Sequence, residues 1–251
     1  MSLELHILGS GGGVPSGIRE TACYLVRDGD RALLLDIGTG ARRLITNPSL
    51  LDGVRDLHVV LTHFHLDHIC GLPYLRTVDI EATIWAPGRW LYDKEAEAIL
   101  EPVRRPPIAP SDHTQFYPVR ELQEGLQSIA GFDIRTSTQP HHWSPSAGLR
   151  IDDEIALLTD TPYEPSSAHL AQGVTHLLHE AWSFSREPIY PEHDATAADA
   201  ARVAQEAEVG GLMLIHLNPT LPDQAPVLAD AAEIFERVRL AEDELVVRGQ
   251  G

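Results

Sequence analysis

Residues 62–71 read Thr-His-Phe-His-Leu-Asp-His-Ile-Cys-Gly, so His63, His65, Asp67 and His68 put three imidazoles and a carboxylate within six positions. Imidazole nitrogen and carboxylate oxygen are the donors that zinc and similar divalent ions take, and a two-ion site needs them at this density. A His-rich surface turn alone gives no reason for Asp67. Further donors stand at equivalent places along the chain. The apolar runs 57–61, 155–158 and 212–215 are followed directly or closely by His63, Asp160 and His216. Three buried strands releasing donors at one end can surround one cluster, and strand ends hold ligands more rigidly than loops.

The elements that must position these groups are legible in part. Leu3, Leu5 and Ile7 alternate with polar residues as a half-buried strand, which runs into Gly9-Ser10-Gly11-Gly12-Gly13. That loop lacks the Gly-Lys-Ser/Thr ending of a phosphate-binding loop, and Pro15 breaks a dinucleotide pattern. It is expected to pass close to the metal site, with its amides toward a substrate anion. Residues 22–26 and 31–37 form a hairpin about Asp28-Gly29-Asp30, with a short helix over 41–45. Residues 83–86 read as a strand, 92–100 as a helix, and the proline-rich stretch 102–118 as a loop with His113 at the surface. A strand over 132–138 leads to His141 and His142, and a hairpin turning at Asp152-Asp153 ends at Asp160. Alanines from 197 to 207 favour a helix that Asp194 or Thr196 caps and Gly210-Gly211 stop. Residues 225–240 read as a last helix, closed by 245–247.

With 251 residues, 43% of them hydrophobic, the chain is expected to form one domain over residues 1–251. No apolar run reaches membrane-spanning length, and a strand beginning by Leu3 leaves no room for a signal peptide, so a cytoplasmic protein is expected. Cys23 and Cys70 are the only cysteines, read as buried or partly buried thiols rather than a disulfide framework. The net charge of −18 repels a nucleic-acid backbone. The doublets Arg42-Arg43 and Arg104-Arg105 read as solvated surface charge rather than a nucleic-acid groove.

The run His-x-His-x-Asp-His resembles the central motif of the metallo-β-lactamase superfamily, and the opening LGSGGGVPSGIRE with its hairpin resembles the ribonuclease Z branch. The likeness extends from Leu3 to Pro219. It implies an αββα sandwich, two mixed sheets face to face with helices outside, and two divalent ions, zinc or manganese. It assigns His63 and His65 to one ion and Asp67 and His68 to the other; His65 rather than Glu points to a hydrolase. It makes Asp160 the bridging carboxylate and His216 the last ligand. The remaining ligand is placed six residues before the glycine of Gly148-Leu149-Arg150-Ile151, which selects His142 with His141 in reserve. Glu180 of a His-Glu-Ala segment and His193 are implied as an acid/base pair, with Asp67 balancing charge beside one ion.

The chemistry implied is hydrolysis by a metal-bridging hydroxide, most readily of a phosphodiester. The arm with which true ribonuclease Z enzymes grip transfer RNA is inserted between the middle His and the bridging Asp, and here only 17 residues separate His142 from Asp160. A small or cyclic phosphodiester is therefore expected over transfer RNA, with no membrane partner and a homodimer compatible with the likeness. A ribonuclease Z-type endonuclease, a lactonase or thioesterase, and a non-catalytic metal-binding protein are the alternatives.

Overall fold

The computed structural model describes residues 3–248; residues 1–2 and 249–251 of the expected domain lie outside them. Alternating or continuous apolar runs form the strands β1 (Glu4–Gly9), β2 (Cys23–Asp28), β3 (Arg31–Leu35), β4 (Asp56–Val60), β5 (Glu81–Ala86), β6 (Val119–Glu121), β7 (Gly125–Ile129), β8 (Phe132–Gln139), β9 (Ser146–Ile151), β10 (Ile155–Leu158), β11 (His176–Glu180), β12 (Gly211–Ile215), β13 (Val238–Leu240) and β14 (Val246–Arg248). They make two seven-stranded sheets, β14-β1-β2-β3-β4-β5-β6 and β13-β12-β11-β10-β9-β8-β7. Each sheet is antiparallel on one side and parallel on the other. In the first, β3, β4, β5 and β6 are parallel neighbours; in the second, β10, β11, β12 and β13 are.

Parallel strands need crossovers, and those crossovers are the helical outer layers. On the first sheet lie α1 (Arg43–Thr46), α2 (Leu66–Ile69) and α4 (Ala96–Arg104); on the second, α5 (Pro165–Ala171), α6 (Ala197–Glu206) and α7 (Ala225–Ala232); the short α3 (Gly88–Tyr92) packs Trp90 and Leu91 against the core between the sheets. Three apolar layers follow. Ile7, Tyr24, Leu35, Phe132, Leu149 and Leu178 pack between the sheets, Leu34, Val59, Leu44 and Leu100 beneath the first helical layer, and Leu158, Leu177, Ala200 and Val203 beneath the second. This is the expected αββα sandwich. No helix of the described residues is long and apolar enough to cross a membrane.

Several local expectations are corrected. The helix expected over 92–100 starts at Ala96, because Asp93 takes a left-handed conformation that ends α3, and it runs on to Arg104 with Pro102 in its last turn. The last helix stops at Ala232, and residues 238–240 pair with β12 instead. Arg104 is fully buried, donating to the carbonyls of Thr114 and Tyr117 and pairing with Glu97, so it pins the proline-rich loop. His113 in that loop is buried rather than exposed. Arg43 is buried as well, held by the Leu8 carbonyl and by Asp243 at 3.2 Å. Cys23 is buried, but Cys70 is exposed.

Candidate metal centre

The first sheet supplies one long excursion. Past β4, Thr62 donates from its amide to Asp36 Oδ1 at 2.8 Å and from its hydroxyl to Asp36 Oδ2 at 2.9 Å, which locks the chain just before His63. The same Asp36 accepts from His68 Nδ1 at 2.8 Å, so the Nε2 of His68 faces the cleft. The short α2 then carries Asp67 and His68 one after the other. Asp36 is the residue that sequence reasoning missed; its only signal is a carboxylate closing the apolar run of β3. Gly38 lies beside this excursion because a Cβ there would meet the Asp67 carbonyl at 2.2 Å.

The second sheet supplies single residues from separate strand ends. Asp160 follows β10 and His216 follows β12, with φ of 55° and 49°, and Asp36 after β3 shares the conformation at 55°. A positive φ turns the chain sharply at the strand end, and Asp and His are among the few side chains that take it readily. His141 follows β8, and its ring lies 5.0 Å from that of His65 and 5.5 Å from that of His63. The Gly-rich loop closes the cleft from the other side. A Cβ on Gly12 would meet the His216 ring at 2.4 Å, and the Gly13 amide donates to Asp67 Oδ2 at 2.7 Å. That amide therefore orients a carboxylate of the site instead of facing a substrate anion.

Of four overlapping donor groups among the described residues, two share the residues of the His-x-His-x-Asp-His run. His63, His65, His141 and Asp160 have ligand atoms within 4.8 Å of one another, and so do Asp67, His68 and His216. Asp160 joins them. Its Oδ1 lies 3.7 Å from His63 Nε2 and 3.4 Å from His141 Nε2, while its Oδ2 lies 3.1 Å from His68 Nε2 and 3.5 Å from His216 Nε2. Of the two candidate histidines, it is His141, the reserve, that lies in the donor set with His63, His65 and Asp160, while His142 groups with His141 and Asp194. His142 adopts φ 35° in the turn after β8, is one-third exposed, and faces Asp194 at 3.8 Å. Glu180, expected to pair with His193, faces His216 instead. Glu180 accepts from the amides of Thr161 and Ala195 at 2.5 and 3.3 Å, and its Oε2 lies 3.5 Å from His216 Nδ1, so it backs a site histidine. His193 sits at the mouth, its ring 4.4 Å from that of His142.

The donors fit divalent ions. His63 Nε2 is buried with no hydrogen-bond partner, an arrangement that costs free energy unless a lone pair is used. Burial, reinforced by the neighbouring His68, pushes the His63 imidazole well below its ordinary range, and burial pushes His141 down to about 4, so both are neutral at physiological pH, the form a metal takes. Burial alone would raise Asp67 and Asp160, but the surrounding imidazoles outweigh it and hold both carboxyls far below their usual range. At His68 burial acts downward, yet Asp160, Asp67 and Asp36 together raise it. A concentration of mutually charged groups of this kind is what two dications would compensate.

Comparison with known proteins agrees with the fold. The Beta-lactamase superfamily domain matches residues 31–217. The ribonuclease Z of Methanopyrus kandleri is 28% identical, with 98% of each chain covered. Among solved structures, the metallo-beta-lactamase fold protein YhfI from Bacillus subtilis superposes with a TM-score of 0.81 at 20% identity, covering 99% of this chain and 100% of that one. A diphosphatase from the PhnP family gives 0.75 at 18% identity, covering 99% and 97%. A domain match spanning most of the chain, on a sandwich whose strand ends converge on the His-x-His-x-Asp-His run, places the chain in the beta-lactamase superfamily, within its ribonuclease Z-like branch.

Proposed function

We propose that the chain is a metal-dependent phosphodiesterase acting on a small phosphodiester such as a cyclic nucleotide or cyclic ribose phosphate. The observation that carries this reading is the split of Asp160, one oxygen toward each donor set. His63, His65, His141 and Asp160 would hold one ion, zinc or manganese, and Asp67, His68, His216 and the other oxygen of Asp160 the second. When bound, two such ions supply charge neutralisation at the phosphoryl oxygens and a nucleophile at neutral pH.

The chain's own residues do the remaining work. Asp36 fixes the ring of His68, and Glu180 faces the far nitrogen of His216, so each acts as a positioning residue behind a ligand. Asp67, held by the Gly13 amide, balances positive charge beside the cleft. His193, half-buried at the mouth beside His142, is the group that gives a proton to the leaving oxygen.

The phosphodiester class is supported by the ribonuclease Z relative. A small substrate is supported by β9 and β10, which fill the interval from His142 to Asp160 as a tight hairpin, and by the charge of −18. Transfer-RNA 3′ processing is the second reading, favoured by the name of that relative. Hydrolysis of bis(p-nitrophenyl) phosphate by metal-quantified protein, beside p-nitrophenyl acetate, a lactone and a transfer-RNA precursor, tests both. Diester turnover with about two metals per chain and no precursor cleavage is expected. Turnover of carboxyl esters alone would overturn the reading.

A further inference from the structure

Several large apolar side chains on the segments around this cleft are left in water. Trp143 is 98% exposed, Ile18 80%, Leu66 71%, and Val14 and Tyr190 61% each. All five belong to segments that carry or adjoin the site. Leu66 lies between His65 and Asp67, Val14 follows the Gly13 that holds Asp67, and Tyr190 precedes His193 by three residues. Trp143 is the extreme case, because tryptophan is rarely left without packing partners.

The turn that presents Trp143 is held firmly. The Ser144 amide donates to the His141 carbonyl at 3.0 Å, closing a four-residue turn with His142 and Trp143 at its centre. On the far side, the Tyr92 hydroxyl donates to the Pro145 carbonyl at 2.6 Å, and the Ala147 amide donates to the Thr62 carbonyl at 2.9 Å, tying the turn to the strand that releases His63. An indole on such a base loses little freedom when it takes up a ligand.

Positive charge is scarce around the same cleft. Segments 12–19, 63–68, 140–145 and 182–194 contain only Arg19 and Arg186 as cations. Arg19 is committed to the Ser10 hydroxyl and the Ala241 carbonyl. A long polyanion would find almost nothing here to pair with its phosphates, whereas a flat ring would find an unpartnered indole on the turn that carries His141 and His142. Resting on the phosphodiesterase reading above, we infer that Trp143 is a specificity-determining residue, and that the substrate is a phosphodiester carrying a nucleobase that stacks on this indole.

The test compares wild type, Trp143→Ala and Trp143→Phe on adenosine 2′,3′-cyclic phosphate and on glycerol 1,2-cyclic phosphate, which has no ring. Stacking is worth about 1–3 kcal/mol per base, so the preference for the adenosine substrate, as a ratio of kcat/KM, is expected to fall about 5- to 100-fold in the Ala variant, chiefly through KM, and to recover largely in the Phe variant. An unchanged preference in the Ala variant, or a Phe variant as poor as Ala, overturns the inference. Tryptophan fluorescence titrated with adenosine 5′-monophosphate supplies a readout free of turnover. Saturable quenching lost in the Ala variant supports the subsite even if wild type hydrolyses neither diester, a result that would sink only the phosphodiesterase reading. No quenching in wild type overturns the inference itself.

Discussion

The first sheet places His63, His65, Asp67 and His68 in the cleft from one excursion after β4, while the second sheet spends three strand ends, those of β8, β10 and β12, to bring in His141, Asp160 and His216. The two deliveries are stabilised differently. Behind the excursion stands a buried carboxylate network, in which Asp36 holds Thr62 and His68 together. Behind the separate strand ends stand the register of β10, β11 and β12, the Thr159 hydroxyl on Asp160 Oδ2, and Glu180 facing His216, each serving one residue at a time. A local cluster is ordered by one shared network, but a dispersed one depends first on the sheet that carries it.

The sharpest test of the dispersed half is the choice between adjacent histidines. His141→Ala is expected to lower bound metal from about two to about one per chain, measured by plasma mass spectrometry, and to cut diester turnover on the order of 100-fold or more. His142→Ala should keep its metal and lose less than about 10-fold. The opposite ranking would return the ligand role to His142. A smaller effect weighs the two supports against each other. Asp36→Asn and Glu180→Gln each remove a charge behind a ligand, a change that costs about 10–100-fold in metal affinity. Chelator competition should show Asp36→Asn as the worse, since it touches its histidine at 2.8 Å and Glu180 stands 3.5 Å from its own. Equal losses would erase the distinction drawn between the two halves.

The smallest expected effect concerns the helix-side face of the second sheet. His179 precedes Glu180 on β11 and is fully buried, donating from Nδ1 to the Glu180 carbonyl at 2.9 Å. Burial pushes its imidazole down to about 4 from an ordinary 6.5. The folded form binds its proton less tightly than the unfolded form, so the stability tied to neutral His179 is complete above pH 6.5 and is lost as pH falls toward 4. The whole window is worth up to about 3 kcal/mol. Urea midpoints of wild type should therefore drop more steeply between pH 7 and pH 5 than those of His179→Gln; parallel curves would show that the second sheet does not depend on this neutral histidine.

The same contrast decides what could be read without coordinates. The His-x-His-x-Asp-His run is contiguous, and β4, β10 and β12 announce themselves as apolar runs, so the donor groups that follow them are legible. Asp36 is not, because Thr62 and His68 lie 26 and 32 residues away in sequence and meet it only through the parallel pairing of β3 with β4. His141 and His142 are neighbours in a turn, where no periodicity reports which ring faces inward; the positive φ of His142 does. Glu180 is singled out by the sequence, yet its partner depends on β11 lying beside β12, which sets it behind His216. Strand-end chemistry is local information, and contacts between strands are not.

The left-handed backbone at Asp36, Asp160 and His216 has a consequence for descent as well as for geometry. Asparagine occupies that conformation as readily as aspartate or histidine, so a change to Asn at any of the three removes a charge or a ligand without asking the main chain to move. Catalysis and architecture are thereby separable at these positions. A lineage of this chain could shed its chemistry one substitution at a time while keeping a sandwich intact for other uses, and an inactive variant made the same way would keep the cleft in shape for capturing an uncleaved substrate.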